Sequence, residues 1–178
     1  MLSAAVQRGI SVIETMIVVA LVVILLVLAL PAGMEWIANQ RIRTAAESLA
    51  AGLQLARMEA VRRNAVVEFV LANAATTAWT VRTAAGEEVQ RRAAGEGTAD
   101  VTVAVTPVDA TRVSFDGLGR RTANADGSPS IERIAVDLPV DVLPADRTRD
   151  LRLQVGVGGQ IVMCDPNVTS GDDVRRCP

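Results

Sequence analysis

The chain has 178 residues, of which 50% are hydrophobic, and a formal net charge of −2. This length suits one domain with a modest core and one additional element. The absence of histidine and of lysine excludes serine–histidine and cysteine–histidine nucleophiles, histidine zinc sites and lysine-dependent phosphate loops. Tyrosine is absent and aromatic residues make up 2% of the chain, which leaves little for stacking on nucleic-acid bases. We therefore expect a protein that is not an enzyme and that holds no cofactor and no metal ion.

An apolar segment dominates the N-terminal third. Residues 16–34 carry no charge, and at about 1.5 Å per residue they nearly span the roughly 30 Å hydrocarbon core of a bilayer. A cleaved secretory signal peptide is one alternative, but its apolar region is usually only about 7–15 residues long. A plain signal anchor is another, but it leaves Glu14 and Pro31 unexplained, because an ionised carboxylate is costly in a membrane. We predict a membrane-spanning helix.

The residues just before this segment are Gly9-Ile10-Ser11-Val12-Ile13-Glu14. A glycine, a glutamate five positions later and a long apolar run together resemble the signature of type IV prepilins. The resemblance implies that a prepilin peptidase removes the leader, residues 1–9, by cutting between Gly9 and Ile10, and then methylates the new amine of Ile10. Isoleucine stands here where the family most often has phenylalanine.

The same resemblance gives roles to Glu14 and Pro31. In type IV pilins, a glutamate at the position of Glu14 meets the N-terminal amine of a neighbouring subunit. Each of these charges is costly alone in hydrocarbon, so their pairing favours subunits that are correctly stacked. Pro31 corresponds to a proline that bends the helix in many pilins, because its ring removes one backbone hydrogen bond and clashes with the preceding turn.

After residue 34 the pattern becomes amphipathic. We predict one helix from about residue 10 to about residue 63, with a membrane and assembly half, residues 10–34, and an amphipathic half, residues 35–63. A coiled-coil seam is the alternative for the second half, but its apolar stripe is short and rich in alanine, so we expect it to pack on a sheet. The stripe has the spacing of one helical face and comprises Ile42, Ala46, Leu49, Leu53, Ala56 and Ala60.

The remaining residues, 64–178, are typical of β structure, because apolar and polar side chains alternate between turn residues. A helix followed by strands predicts an α+β fold. We predict loops at residues 86–100 and 121–130. The predicted strands are residues 65–71, 79–82, 101–105, 112–115, 131–138, 151–155 and 160–163.

Helix and strands together resemble the GspH/FimT/FimU group of minor pilins and pseudopilins. The resemblance implies a type IV pilin-like fold, in which one long N-terminal helix packs on an antiparallel β-sheet head. We expect the charged residues of the helical motif, among them Arg57 and Glu59, to form a solvated helix face with local ion pairs. The motifs are LARMEAVRR at residues 55–63, the strand at Trp79, VSFDG at residues 113–117 with Gly119-Arg120, and GGQI at residues 158–161.

Cys164 and Cys177 are the only cysteines, and both lie on the side of the membrane that would be periplasmic. An even count in an oxidising compartment favours a disulfide that closes the tail. Two free thiols or half of a metal site are the alternatives, but histidine and a second cysteine pair are absent. A calcium loop is disfavoured, because the aspartates of the tail lack the EF-hand spacing.

Arg175 and Arg176, in the same tail, are candidate nucleic-acid contacts. FimT-like proteins of naturally transforming bacteria hold DNA with a Gly-Arg-x-Arg motif near the C-terminus, whereas residues 159–162 here are Gly-Gln-Ile-Val. Aspartates offset the two arginines, so a charge-balanced, solvated loop is favoured over DNA binding.

These observations predict a minor pilin of the FimT/FimU type, held in the bacterial inner membrane by one span with its head in the periplasm, that enters or primes a type IV pilus. Its expected partners are other minor and major pilins, the prepilin peptidase and the inner-membrane assembly platform. The alternatives are the type II secretion pseudopilin H, whose leader and fold are alike, and a DNA receptor for transformation. A membrane-anchored enzyme is disfavoured, because Asp116 and Asp126 flank glycine turns, which is typical of hairpins rather than of catalysis.

Overall fold

The computed structural model describes residues 11–178, without the side chains of residues 31 and 32. Gly9 and Ile10, and with them the predicted cleavage and methylation site, lie outside the described residues. The chain forms two compact units. The helix unit reaches Trp36, and the head unit comprises Ile37–Pro178. An α-helix, α1 (Val12–Arg63), contributes to both.

Both ends of α1 follow from local chemistry. At its start, the backbone N–H of Glu14 donates to the carbonyl of Ser11 (3.0 Å), and a carboxylate in the first turn suits the positive end of the helix dipole. At its end, Asn64 adopts a left-handed conformation with φ 48°, and the N–H of Ala65 donates to the carbonyl of Ala60 (3.2 Å). This is a Schellman motif, and the helix ends where the sequence predicted.

Nine strands follow, arranged in two antiparallel sheets. The five-stranded sheet has the order β3-β2-β1-β5-β6, and the four-stranded sheet has the order β4-β7-β8-β9. The α+β class is confirmed, and the strands divide between two sheets rather than one. The strands are β1 (Val67–Leu71), β2 (Trp79–Thr83), β3 (Glu88–Arg92), β4 (Thr102–Thr106), β5 (Arg112–Phe115), β6 (Arg121–Thr122), β7 (Arg133–Asp137), β8 (Leu151–Val155) and β9 (Ile161–Cys164).

The loops predicted at residues 86–100 and 121–130 were partly wrong. The first contains β3 and the second contains β6, and both strands lie at the edges of the five-stranded sheet. Every residue of β3 is exposed or half-buried, so the strand lacks the apolar alternation that marks a strand with one buried face. Its backbone pairing with β2 holds it in place.

A single core joins α1 to the inner faces of both sheets. Each of the six stripe residues predicted for the second half of α1 is fully buried, which confirms the packing of this face on the sheets. Gly52 permits the closest approach, because a Cβ there would lie 2.8 Å from a ring atom of Phe69 and 2.9 Å from the indole of Trp79. The indole N–H of Trp79 donates to the hydroxyl of Ser48 (3.0 Å) across this contact.

Candidate assembly surface

The helix unit presents an apolar surface that its own residues do not cover. Between Val12 and Leu30, the large apolar side chains range in exposure from 48% at Val22 to 76% at Val12. The most apolar 18-residue window of α1 has a mean hydropathy of 3.1 and is 0% buried. By length and composition this helix is able to cross a membrane, which is consistent with membrane anchoring. Such a surface requires lipid or the apolar helices of other subunits around it.

Glu14 is exposed in the first turn of α1. Within the described residues it forms no ion pair, so its predicted pairing with the amine of another subunit stays a prediction. The helix continues without a break through residue 31, and the bend predicted at Pro31 also stays a prediction.

Three of the resemblance motifs meet at one point of the head unit. The guanidinium Nε of Arg57 on α1 donates to the carbonyl oxygen of Gly119 (3.1 Å), in the turn between β5 and β6. Gly159, in the turn between β8 and β9, lies so close to the same carbonyl that an added Cβ would overlap it. We call Arg57, Gly119 and Gly159 the junction. It fastens the helix and a hairpin from each sheet together.

The junction corrects one sequence prediction. Arg57 is exposed, as expected for a solvated helix face, but instead of the predicted local ion pair it forms a hydrogen bond to a residue 62 positions away. The two glycines are needed for their backbone conformation, because Gly119 has φ 74° and Gly159 has φ 78°, a region that side chains with a Cβ rarely adopt. The periodicity of a helix reveals which residues face outward, but it does not reveal a carbonyl that approaches from another part of the chain.

The turn that carries Gly119 also packs on the end of α1. A Cβ at Gly117 would lie 2.5 Å from Oδ1 of Asn64, the residue that ends the helix. Asp116 holds the turn, because its Oδ1 accepts the backbone N–H groups of Leu118 and Arg120 (both 2.9 Å). The backbone N–H of Arg120, together with its guanidinium, lowers the pKa of Asp116. This carboxylate therefore serves a turn, as the glycine pattern predicted.

The rest of the helical motif forms the expected ion pairs. Glu59 accepts hydrogen bonds from Arg62 (2.6 Å) and Arg63 (2.9 Å), and Arg63 also reaches Glu87 (2.8 Å) in the turn between β2 and β3. The hydrogen bonds from Arg62 and then Arg63 lower the pKa of Glu59 from 4.5 to about 2. The end of α1 is thus tied to the five-stranded sheet by charge as well as by packing.

This pKa shift predicts a pH-dependent loss in Glu59→Gln. A carboxyl group whose pKa is lowered in the folded state stabilises the fold above its ordinary pKa of 4.5, and that contribution disappears as the pH falls through about 2. We expect the Tm of Glu59→Gln to be lower than wild type by about 2 °C at pH 7 and equal to it near pH 2. Circular dichroism of the detergent-solubilised protein measures both.

Glu47→Gln is the matched control, since Glu47 forms one exposed pair with Arg43 on the same helix (2.8 Å). We expect its Tm to change less than that of Glu59→Gln at pH 7. A Glu59→Gln protein whose deficit is the same at pH 7 and pH 2 would show that the loss comes from packing and not from charge.

The tail is closed as predicted, by a disulfide between Cys164 and Cys177. Arg175 is already occupied, because its guanidinium binds Asp173 through two hydrogen bonds of 2.7 and 3.1 Å, and Arg175 lowers the pKa of Asp173 to about 2. Among the described residues Arg176 has no ion pair. The structure therefore brings an aspartate, rather than a second arginine, to Arg175.

Comparison with known proteins identifies the family. The model of the family described as "Type II transport protein GspH" matches residues 45–159. The fold is similar to two crystal forms of the type IV minor pilin FimU of Pseudomonas aeruginosa. The first has a TM-score of 0.51 and 16% identity and covers 74% of this chain and 96% of FimU. The second has a TM-score of 0.50 and 16% identity, with coverages of 72% and 99%. No curated protein matches the sequence. The chain therefore belongs to the GspH family of pseudopilins and minor pilins.

Proposed function

We propose that this protein is a minor pilin of the FimT/FimU type that enters or primes a type IV pilus. It is inserted in the bacterial inner membrane with its head in the periplasm, cut between Gly9 and Ile10 and methylated at Ile10. The uncovered apolar surface of α1 between Val12 and Leu30 carries the proposal. A helix of this kind is stable in lipid before assembly and among the helices of other pilins afterwards.

The assembly step follows from the charge of Glu14. In hydrocarbon, an ionised carboxylate costs about 2.5–3.5 kcal/mol on the insertion scale, and a free amine is costly as well. When the assembly platform brings two processed subunits together, the amine of Ile10 in one and the carboxylate of Glu14 in the other neutralise each other. The ion pair forms at only one axial offset of the two helices and stabilises that arrangement, so it sets the register of the subunits in the fibre.

The type II secretion pseudopilin H is the alternative within the family, and the description of the matching family favours it. The similarity to FimU and the disulfide-closed tail support the pilus. Two measurements distinguish these functions: the amount of enzyme exported through a type II secretion system and the number of surface fibres. We expect deletion of the gene to reduce the number of surface fibres and to leave the amount of secreted enzyme unchanged.

Intact mass spectrometry tests the processing step. We expect co-expression with a prepilin peptidase to shorten the full-length protein by residues 1–9 and to add one methyl group, because the cut exposes the amine of Ile10. Without the peptidase the mass should correspond to all 178 residues.

Gly9→Val is the control, since it removes the glycine before the cut and leaves the apolar helix intact. We expect this variant to keep its leader in the presence of the peptidase. An unprocessed wild-type mass, or a cut beyond Pro31, would reject the proposal in favour of a plain anchor or a secreted head.

A further inference from the structure

A groove of about 470 Å³ opens beside the outer face of the four-stranded sheet. The register of the strands places Arg133 of β7 opposite Gln154 of β8, and Gln154 opposite Val162 of β9. These three side chains share the face that points away from the core, because their neighbours Ile134, Leu153 and Val155 are buried. The groove is lined by that row and, among others, by Arg121, Glu132 and Pro178.

The groove contains one satisfied and one unsatisfied guanidinium. Arg121 donates to the carbonyl of Val155 (3.2 Å) and to Oε1 of Glu132 (3.2 Å). Arg133 is exposed, and no carboxylate of the described residues lies within 4.0 Å of it. Arg152 also has no ion pair within residues 11–178, and it lies beside the groove on the same face, because it is opposite Ala135. In such a register Arg133 and Arg152 are diagonal neighbours with Cα atoms about 7–8 Å apart. Arg133 and Arg152 are thus two adjacent cations that have no ion pair in the part of the chain that the structure describes.

The chemistry around these cations distinguishes a protein ligand from a nucleic acid. A protein that holds DNA neutralises several phosphates at once, whereas Arg133 and Arg152 are the two arginines without an ion pair among the described strand residues of this face. The nearby carboxylates leave Arg133 free, because Glu132 accepts the guanidinium of Arg121, and Asp137 and Asp150 lie at the opposite end of β7 and β8 from Arg133. Aromatic side chains that would stack on bases are absent from the lining. Amide groups and valines, such as Gln154 and Val162, instead suit the polar backbone and small side chains of an extended peptide.

We propose that this groove, together with Arg152 beside it on the same sheet face, binds an extended acidic segment of another pilin subunit, with its carboxylate held by Arg133 and Arg152. The planar guanidinium donates two parallel hydrogen bonds to a carboxylate, and the amides of Gln154 and Gln160 are available to the peptide backbone. The inference rests on the proposed function, since it names one contact by which the head selects its neighbour in the fibre.

An array of immobilised hexapeptides composed only of valine, glutamine and glutamate tests this site. The full chain, solubilised in detergent, is the probe. We expect its affinity to rise with the number of glutamates and to fall at least tenfold in Arg133→Gln and in Arg152→Gln. Arg149→Gln is the matched control, because Arg149 is exposed, lies outside the strands of this sheet and has no ion pair with any described residue. The affinity of this variant should equal that of wild type. Thermal unfolding of each variant verifies that the head is folded.

Each other outcome overturns the inference. Binding that does not depend on the glutamate content, or that survives in Arg133→Gln, places the contact elsewhere. The groove is a nucleic-acid site if a labelled DNA duplex binds the wild type more tightly than Arg133→Gln and the peptides do not bind. Intact mass distinguishes this failure from that of the proposed function: correct processing without peptide binding rejects the groove alone.

Discussion

Gly159→Ala is expected to lower the free energy of unfolding of the head unit by about 2–5 kcal/mol. Alanine is strained at the φ of 78° that Gly159 adopts, which costs about 1–2 kcal/mol. Its methyl group would also overlap the carbonyl of Gly119, and the rigid backbone can relieve this only by separating the two hairpins, which adds about 1–3 kcal/mol. Such a separation would break the hydrogen bond from Arg57 as well. Urea unfolding followed by circular dichroism measures the loss.

Gly127→Ala is the matched control for this substitution. Gly127 has nearly the same φ, 73°, but an added Cβ would meet nothing within 4 Å. We expect a loss of about 1–2 kcal/mol from backbone strain alone. The difference between the two variants measures the close approach of the hairpins. Equal losses would show that the junction adds nothing beyond two strained turns.

Glu14→Gln is expected to reduce incorporation into fibres at least tenfold while the protein remains in the membrane. Glutamine has the same size and is easier to insert than an ionised carboxylate, but it offers no charge to the amine of the neighbouring subunit. A tenfold change corresponds to about 1.4 kcal/mol, which is modest for the loss of a charge pair in a low dielectric. Quantitative immunoblots of sheared fibres and of membranes give the two fractions.

Processing by the peptidase separates an assembly defect from a targeting defect in this experiment. We expect Glu14→Gln to lose residues 1–9 as the wild type does, because the cut lies five positions before the substitution. Glu47→Gln, on the amphipathic half of the same helix, is the control and should enter fibres normally. Normal incorporation of Glu14→Gln would remove the charge pair from the mechanism of assembly.

Much of the helix was predictable because its physics is local. The apolar run is recognised by a length that matches the thickness of a bilayer. The stripe from Ile42 to Ala60 has the period of a helix, and each of its residues is buried. The disulfide was predicted from the two cysteines and from the oxidising compartment that we expect for the head. Each of these features can be predicted from residues that are close in sequence or from the number of cysteines.

The rest depends on pairs that are distant in sequence. The edge strand β3 is held by its backbone, so its side chains carry no signal of the pairing. Arg57 has the appearance of any exposed arginine on a helix until the turn at Gly119 reaches it. The groove at Arg133 arises where strands of the four-stranded sheet come into register. The sequence motifs pointed to each of the glycines at the junction, but nothing in them indicated that these residues meet.

The two tryptophans give each unit of the chain its own optical reporter. Tyrosine is absent and the chain has two tryptophans, so light at the long-wavelength edge of the protein absorption band excites only those two side chains. Trp36 is 65% exposed at the end of the helix unit, whereas Trp79 is 3% exposed in the core and bonded to Ser48. In Trp36→Phe, the emission would therefore follow the integrity of the head alone, and in Trp79→Phe it would follow the polarity around the end of the helix unit.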